Sequence, residues 1–439
     1  MSPKKETKVM GFLPDDTPPI WKLIFFALQQ MVVMFPATVL VALLTGFHVS
    51  TTIFASGLAT LGFVLITKGR IPLYYGSSFS YIAAIVAITG VKQFGEIAPD
   101  SLISQAQCGI IASGLVSIVA GLIINQFGRE KIEKVLPPSI TGSVAIVIGI
   151  SLAGSAMTGA ASNWTAGLIT LLATILFSVY LRGTLGQLPI LFGVLVGYVA
   201  SWALGIIDFS KVTSAAILTT PHFTFPVWSW SAIVAIMPIA IATIPESTAH
   251  LYQIDLYVNN LAKKLGSKKE YSIAGLLGMN LVGDGVADII AGTMGGPAGT
   301  NYGENNSVMA ITKNFSVPVI MLAAVFAMVL AFFGKLAGAV NTVPAAVIGG
   351  VSIYLFGVIG VQGVAIMLSE KVDLFSSKSL AVVATILIIG IGGSFGFPNG
   401  MIPFFGAQLP AIATAAVFGI LLNLVFLIFP AEQGDAVNK

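Results

Sequence analysis

Apolar residues run along this chain in blocks too long and too continuous for the helices of a soluble core. Reading stretches of about 20 apolar residues as bilayer crossings, the sequence predicts fourteen spans. They fall at 21–44, 50–67, 77–90, 103–126, 138–156, 164–181, 187–206, 229–251, 271–291, 303–313, 316–334, 341–365, 379–394 and 409–429. The third and tenth blocks are too short to cross as full helices. Each follows a stretch of Gly, Pro and Tyr that reads as an extended segment. The expected fold is an all-α polytopic membrane protein with two short strands before half-helices 3 and 10.

Composition points the same way. Hydrophobic residues make up 56% of the 439 and charged residues only 9%, against about 25% charged in soluble domains. Residues 1–19 are polar and mixed in charge, and the first apolar run is too long for a signal-peptide core, so no cleaved signal is expected. Cys108 is the only cysteine, which excludes an intrachain disulfide and a cysteine metal site.

The placement of charge says more than its sum. With the N-terminus in the cytoplasm, 18 of the 21 Lys and Arg fall inside: Lys4, Lys5, Lys8, Lys22, Lys68, Arg70, Arg129, Lys131, Lys134, Arg182, Lys263, Lys264, Lys268, Lys269, Lys313, Lys371, Lys378 and Lys439. Lys92, Lys211 and Lys335 fall outside. The positive-inside rule then supports an even span count and two cytoplasmic termini. Fourteen spans divide into seven plus seven at the long outside segment 207–228. An odd number per half makes the second half an inverted repeat of the first, an arrangement common in secondary transporters. A short echo agrees: Tyr75-Gly76-Ser77-Ser78 precedes the third block, and Tyr302-Gly303-Glu304-Asn305 opens the tenth.

Two carboxylates stand inside these apolar surroundings, Glu246 and Glu304. Such a group at bilayer depth costs roughly 2.5–3.5 kcal/mol on insertion scales, so a cavity for a polar ligand or a proton is the expected reason to keep it. A half-helix leaves its first N–H groups unpaired, and at mid-membrane these can meet a ligand's carbonyl oxygens. The N–H groups around Ser78, Phe79, Gly303 and Glu304 are therefore candidate donors, with Gly76 and Gly303 permitting close approach. Phe79, Tyr302 and Tyr81 are candidates to stack on a flat ligand. A planar molecule with carbonyls flanked by N–H groups, such as a nucleobase, fits this set, as do other small planar polar molecules. His250 lies one helical turn after Glu246. The pair reads as a proton-coupling element, with a structural ion pair as the alternative. Asp284 reads as a brace of the ninth helix, and Asp288 is expected near its outer end, facing water. His48 and His222 fall in outside loops and need no function.

At these residues the chain resembles the nucleobase–ascorbate transporter family, in its uracil branch. The signature segment reads Glu304-Asn305-Asn306-Ser307-Val308-Met309-Ala310-Ile311-Thr312-Lys313. Similar motifs stand at Lys68-Gly69-Arg70-Ile71-Pro72, Gly76-Ser77-Ser78-Phe79, Gly334-Lys335-Leu336-Ala337 and Gly349-Gly350-Val351-Ser352. The resemblance runs from about Trp21 to Pro430, and Glu rather than Gln at 304 resembles the uracil branch. It implies a core domain of residues 21–126 and 229–334 and a gate domain of 138–206 and 341–429. It implies a base held by Glu246, Glu304 and main-chain groups at Phe79 and Gly303, with His250 partnering Glu246 in proton coupling. It also implies a plasma-membrane carrier with a homodimer formed through gate helices. The chain departs from the family pattern at Gln30, Asn301, Ser307 and Phe356.

The resulting expectation is uracil import by proton symport, with a xanthine, purine or other nucleobase permease as the alternative. A channel would need a continuous polar lining, and the two carboxylates are isolated. No metal cluster, Ser/His/Asp set or Walker-type motif supports an enzyme, a cofactor or ATP-driven transport, and nothing points to nucleic acid.

Overall fold

Pro and Gly decide where the long apolar blocks begin and stop. The computed structural model describes residues 11–128, 134–404 and 407–429. Lys4, Lys5, Lys8, Arg129, Lys131, Pro430 and Lys439 of the expectations above lie outside the described residues. Helix α1 (Ile20–Thr45) ends at Gly46, whose φ of +78° lets its N–H close on the Ala42 carbonyl. Helix α2 (Val49–Ile66) leads into strand β1 (Tyr75–Ser77), the short α3 (Phe79–Thr89) and α4 (Asp100–Phe127). There follow α5 (Pro138–Ala161), α6 (Trp164–Tyr180) and α7 (Pro189–Ala203); α5 and α7 open on Pro, which needs no intrahelical donor there. The second half brings α8 (Trp230–Lys264), α9 (Ala274–Met294), β2 (Gly299–Asn301), α10 (Gly303–Thr312) and α11 (Val317–Leu330). It closes with α12 (Ala345–Ser369), α13 (Ser377–Gly396) and α14 (Ala411–Ile428).

Among the described residues nine helices are long and apolar enough to cross a membrane: α1, α2, α4, α5, α8, α9, α12, α13 and α14. Helices α3, α6, α7 and α11 are shorter apolar helices, and α10 is short and polar. The chain is a mostly helical, multi-pass membrane protein.

Several ends shift by a few residues from the sequence expectation, as where α5 runs to Ala161 and α12 from Ala345 to Ser369, and two differences carry structure of their own. The eighth span was expected to end at 251, but α8 continues to Lys264. Beyond Tyr252 the apolar block gives way to an amphipathic face, with Leu251, Ile254, Val258 and Leu261 buried at helical spacing. The continuous apolar run ends at that change although the helix does not. The extension does structural work: Asp255 Oδ1 accepts the N–H groups of Ile273 (2.8 Å) and Ala274 (3.0 Å) where α9 begins. Asn259 exchanges two hydrogen bonds with the Tyr271 main chain. The second difference is an antiparallel hairpin, β3 (Met401–Phe404) with β4 (Ala407–Pro410), which delays the last helix to Ala411.

The helices pack in two sets. In one, α4 lies along α9, α9 and α11 lie on α2, α1 lies on α11, and α8 meets α4. In the other, α12 lies against α5 and α6, α6 against α7, and α13 against α14 and α5. Close approach in the first set depends on Gly. A Cβ at Gly285 would stand 2.3 Å from the Gly114 carbonyl oxygen, and one at Gly114 would stand 2.5 Å from the Gly285 oxygen. One spacing of seven further on, Gly121 and Gly278 repeat the contact. Gly285→Ala is therefore expected to push α4 from α9 and cost about 1–3 kcal/mol. Thermal unfolding of the purified variant checks this, and an unchanged melting temperature would contradict the contact.

Candidate functional site

Two strand–helix turns meet where the paired strands cross. β1 pairs antiparallel with β2, Gly76 opposite Thr300, so the two short strands satisfy backbone groups that lipid could not. From this ribbon α3 and α10 start in opposite halves of the chain. Ser78 caps the first, its Oγ accepting the Ser80 N–H at 3.2 Å. Gly303 is the first residue of the second and Glu304 its second.

A cavity of about 630 Å³ opens between these turns and the second helix set. Its lining brings together Ser78, Phe79, Glu246, His250, Tyr302, Gly303 and Glu304, all singled out in the sequence. Thr141, Ala145 and Ile148 of α5 and Leu355, Ile359 and Gln362 of α12 close the opposite wall. Pro245 precedes Glu246 inside α8 and cannot donate to the carbonyl one turn earlier, so the backbone is locally open beside the carboxylate. Ser80 Oγ donates to Glu246 Oε2 at 3.5 Å. No Lys or Arg is among the lining residues; His250 is the only basic side chain there.

His250 sits against the start of α10. A Cβ at Gly303 would stand 2.7 Å from its Nε2, so a larger residue there would have to displace the imidazole, whose Nδ1 is buried. Its own carbonyl accepts from Asn306 Nδ2 at 3.3 Å. Among the described residues no ion pair joins His250 to Glu246; the two share the cavity instead. Tyr302 lies over Gly76, where a Cβ would come within 2.3 Å of its ring. Its hydroxyl donates to the Ser77 carbonyl at 3.1 Å and pairs with the Thr38 hydroxyl at 2.9 Å. That ring is packed against β1 and stacks on Tyr74. Tyr81, considered as a stacking ring, is fully buried with its hydroxyl 2.6 Å from Ser113 Oγ, bracing α3 on α4.

Behind the cavity lies a polar network that no local sequence pattern announces. Ser247, the residue after Glu246, donates to Asp284 Oδ2. Ser247 Oγ accepts from Asn280 Nδ2 at 2.7 Å and from Asn301 Nδ2 at 3.1 Å. Asp288, expected to face water, is 1% exposed. It accepts the Tyr75 hydroxyl and, at 2.8 Å, the Gly299 N–H, so one carboxylate ties α9 to both strands. The expectation failed because an Asp near a helix end reads as solvated unless its strand partners are known. The departures from the family pattern take structural places. Gln30 accepts from Asn305 Nδ2 at 2.7 Å, Asn301 joins the network, Ser307 lines the cavity, and Phe356 is buried.

The model of the permease family matches residues 21–399. This chain belongs to the permease family. The resemblance read from Glu304–Lys313 and its companion motifs to nucleobase–ascorbate transporters therefore holds. The uracil permease of Bacillus caldolyticus is 38% identical to this permease over 427 residues, 93% of each chain. The putative pyrimidine permease RutG of Escherichia coli (strain K12) is 38% identical over 421 residues, 93% of this chain and 90% of the relative. These relatives are named as permeases, not enzymes. Among solved structures, the murine anion transporter Slc26a9 in its inward-facing state superposes with a TM-score of 0.61 at 12% identity, covering 98% of the permease and 73% of that chain. That likeness concerns the fold alone.

Proposed function

We propose that this permease carries uracil into the cell across the plasma membrane by proton symport. The observation that carries the reading is a single cavity holding two carboxylates, Glu246 and Glu304, beside the starts of two half-helices. Ionised carboxylates only accept hydrogen bonds, whereas helix-start N–H groups only donate. A ligand suited to both offers N–H groups on one edge and carbonyls on another, which is the pattern of uracil. The names of the relatives favour a pyrimidine over a purine. Phe79 is placed to cover a flat ring.

Protons enter the reading through charge. Two carboxylates share a low-dielectric space whose lining offers no Lys or Arg. A proton carried with the neutral base cancels one of the charges, and His250, at the start of α10, is the group that relays it to or from Glu246.

Fourteen crossings in two inverted halves fit the packing. Adding or subtracting seven turns α4 on α9 into α11 on α2, α8 on α4 into α1 on α11, α6 on α7 into α13 on α14, and α12 on α6 into α5 on α13; all of these contacts occur. The first helix set, residues 21–126 and 229–334, is read as the core that carries the base. The second, 138–206 and 341–429, is read as the gate, with both termini cytoplasmic and gate helices forming a homodimer.

The test is competition for labelled uracil uptake in proteoliposomes. The expected order is uracil first, small 5-substituted uracils next, and cytosine and purines far behind. Cytosine exchanges a carbonyl for an amine and loses a ring N–H, leaving a buried group unpaired at about 1–3 kcal/mol. Better displacement by xanthine or guanine would overturn the substrate and favour the purine alternative.

A further inference from the structure

On the face opposite the extended end of α8, three segments distant in sequence bring two imidazoles and a carboxylate together. His48 is the residue before α2, Asp100 the first residue of α4, and His222 lies in the connection between α7 and α8. His222 Nε2 is 2.8 Å from Asp100 Oδ2, and His48 Nε2 is 3.4 Å from Asp100 Oδ1. The two rings lie 4.4 Å apart, centroid to centroid. One ligand atom from each residue falls within 4.8 Å of the others.

The geometry points to a binding site for a borderline transition-metal ion, of the zinc class, at this end of the molecule. Two neutral imidazoles and a carboxylate form a donor set that suits zinc and its neighbours and is too nitrogen-rich for magnesium or calcium. Donor atoms about 2.0–2.2 Å from one metal sit three to four ångströms apart, so small side-chain rotations complete the cluster. The positions are fixed before any ion arrives. His48 holds the first turn of α2 through its carbonyl, which accepts from Thr52 N at 2.9 Å and from Thr52 Oγ1 at 2.9 Å. Thr51, the residue before Thr52, donates its Oγ1 to the His222 carbonyl at 2.6 Å. Two residues beyond His222, the Thr224 carbonyl accepts from Gln107 Nε2 of α4 at 2.8 Å. The cluster is thus pinned from α2 and α4 on either side. It is also reachable: the side chains of His222 and Asp100 are 54% and 56% exposed, which leaves room for water in the remaining coordination positions.

The site is separate from the cavity, so it tests independently of the transport reading. Tag-free purified protein, stripped of metal, is titrated with zinc alone by calorimetry, with magnesium as the hard-cation control. One zinc ion per chain is expected, with magnesium giving no heat and no competition. His222→Gln and Asp100→Asn should each weaken zinc about tenfold or more, and the His48→Ala/His222→Ala double variant should remove saturable binding. Metal-free melting temperature and gel-filtration profile certify that each variant is folded. Zinc should raise the melting temperature of the parent and leave that of the double variant where it was. Absence of saturable zinc binding to the parent overturns the proposal. So does undiminished binding by the folded double variant, which would put the ion elsewhere.

Discussion

Glu304→Gln is expected to weaken the binding of uracil severely while leaving the protein folded. The carboxylate lines the cavity at the second position of α10. The side chains that fasten α10 are its neighbours, Asn305 through Gln30 and Asn306 through the His250 carbonyl. A Gln keeps the size and the helix but replaces one acceptor oxygen with a donor that faces the N–H of the base. An unmade hydrogen bond at a buried site costs about 1–3 kcal/mol, more where a charge was involved. The loss of affinity is therefore expected to lie between about tenfold and a few hundredfold. Calorimetric titration of the detergent-solubilised variant, beside its melting curve, reads both parts of the claim. Parent-like affinity in a folded Glu304→Gln protein removes Glu304 from the site.

Glu246→Gln should uncouple the protein rather than silence it. Parent protein in liposomes is expected to accumulate uracil when the outside is acidic, and a protonophore should abolish the accumulation. The Gln variant, permanently neutral, mimics the protonated carboxylate. It is expected to exchange internal for external uracil yet fail to concentrate it at any pH gradient. Accumulation by the parent under a sodium gradient at constant pH would reject protons as the coupling ion. Retained acid-driven accumulation by Glu246→Gln would move the coupling group elsewhere, with the buried carboxylates of α9 the first places to look.

The parts of this protein visible in its sequence are those written locally. Long apolar blocks announce spans because bilayer thickness sets their length, and Glu246 and Glu304 stand out because charge is expensive among such neighbours. The strand–half-helix turns were readable from Tyr-Gly pairs followed by blocks too short to cross. What escaped depends on partners far along the chain. The Ser247–Asn280–Asp284–Asn301 network draws on α8, α9 and β2; Asp284 reads as a brace from the sequence, but its partners do not. Asp288 looked solvated until Tyr75 and Gly299 were placed beside it. Tyr302 lines the cavity as its place in the sequence suggests, but its packing over Gly76 has no local signal. The extension of α8 escaped for a different reason: its signal changes from continuous hydrophobicity to helical periodicity at Tyr252.

The β1–β2 ribbon also imposes an order on biogenesis. Gly299 leaves the ribosome more than two hundred residues after Ser77. Until then Gly76 lacks its strand partner, although Ser56 and Thr60 of α2 already hold the Tyr75 main chain, and a bilayer could not satisfy the open edge. The nascent first half must therefore be sheltered, by water at the insertion machinery or by a chaperone, until its partner strand arrives. Expressed alone, residues 1–206 should be degraded, and co-expression with 207–439 should rescue them.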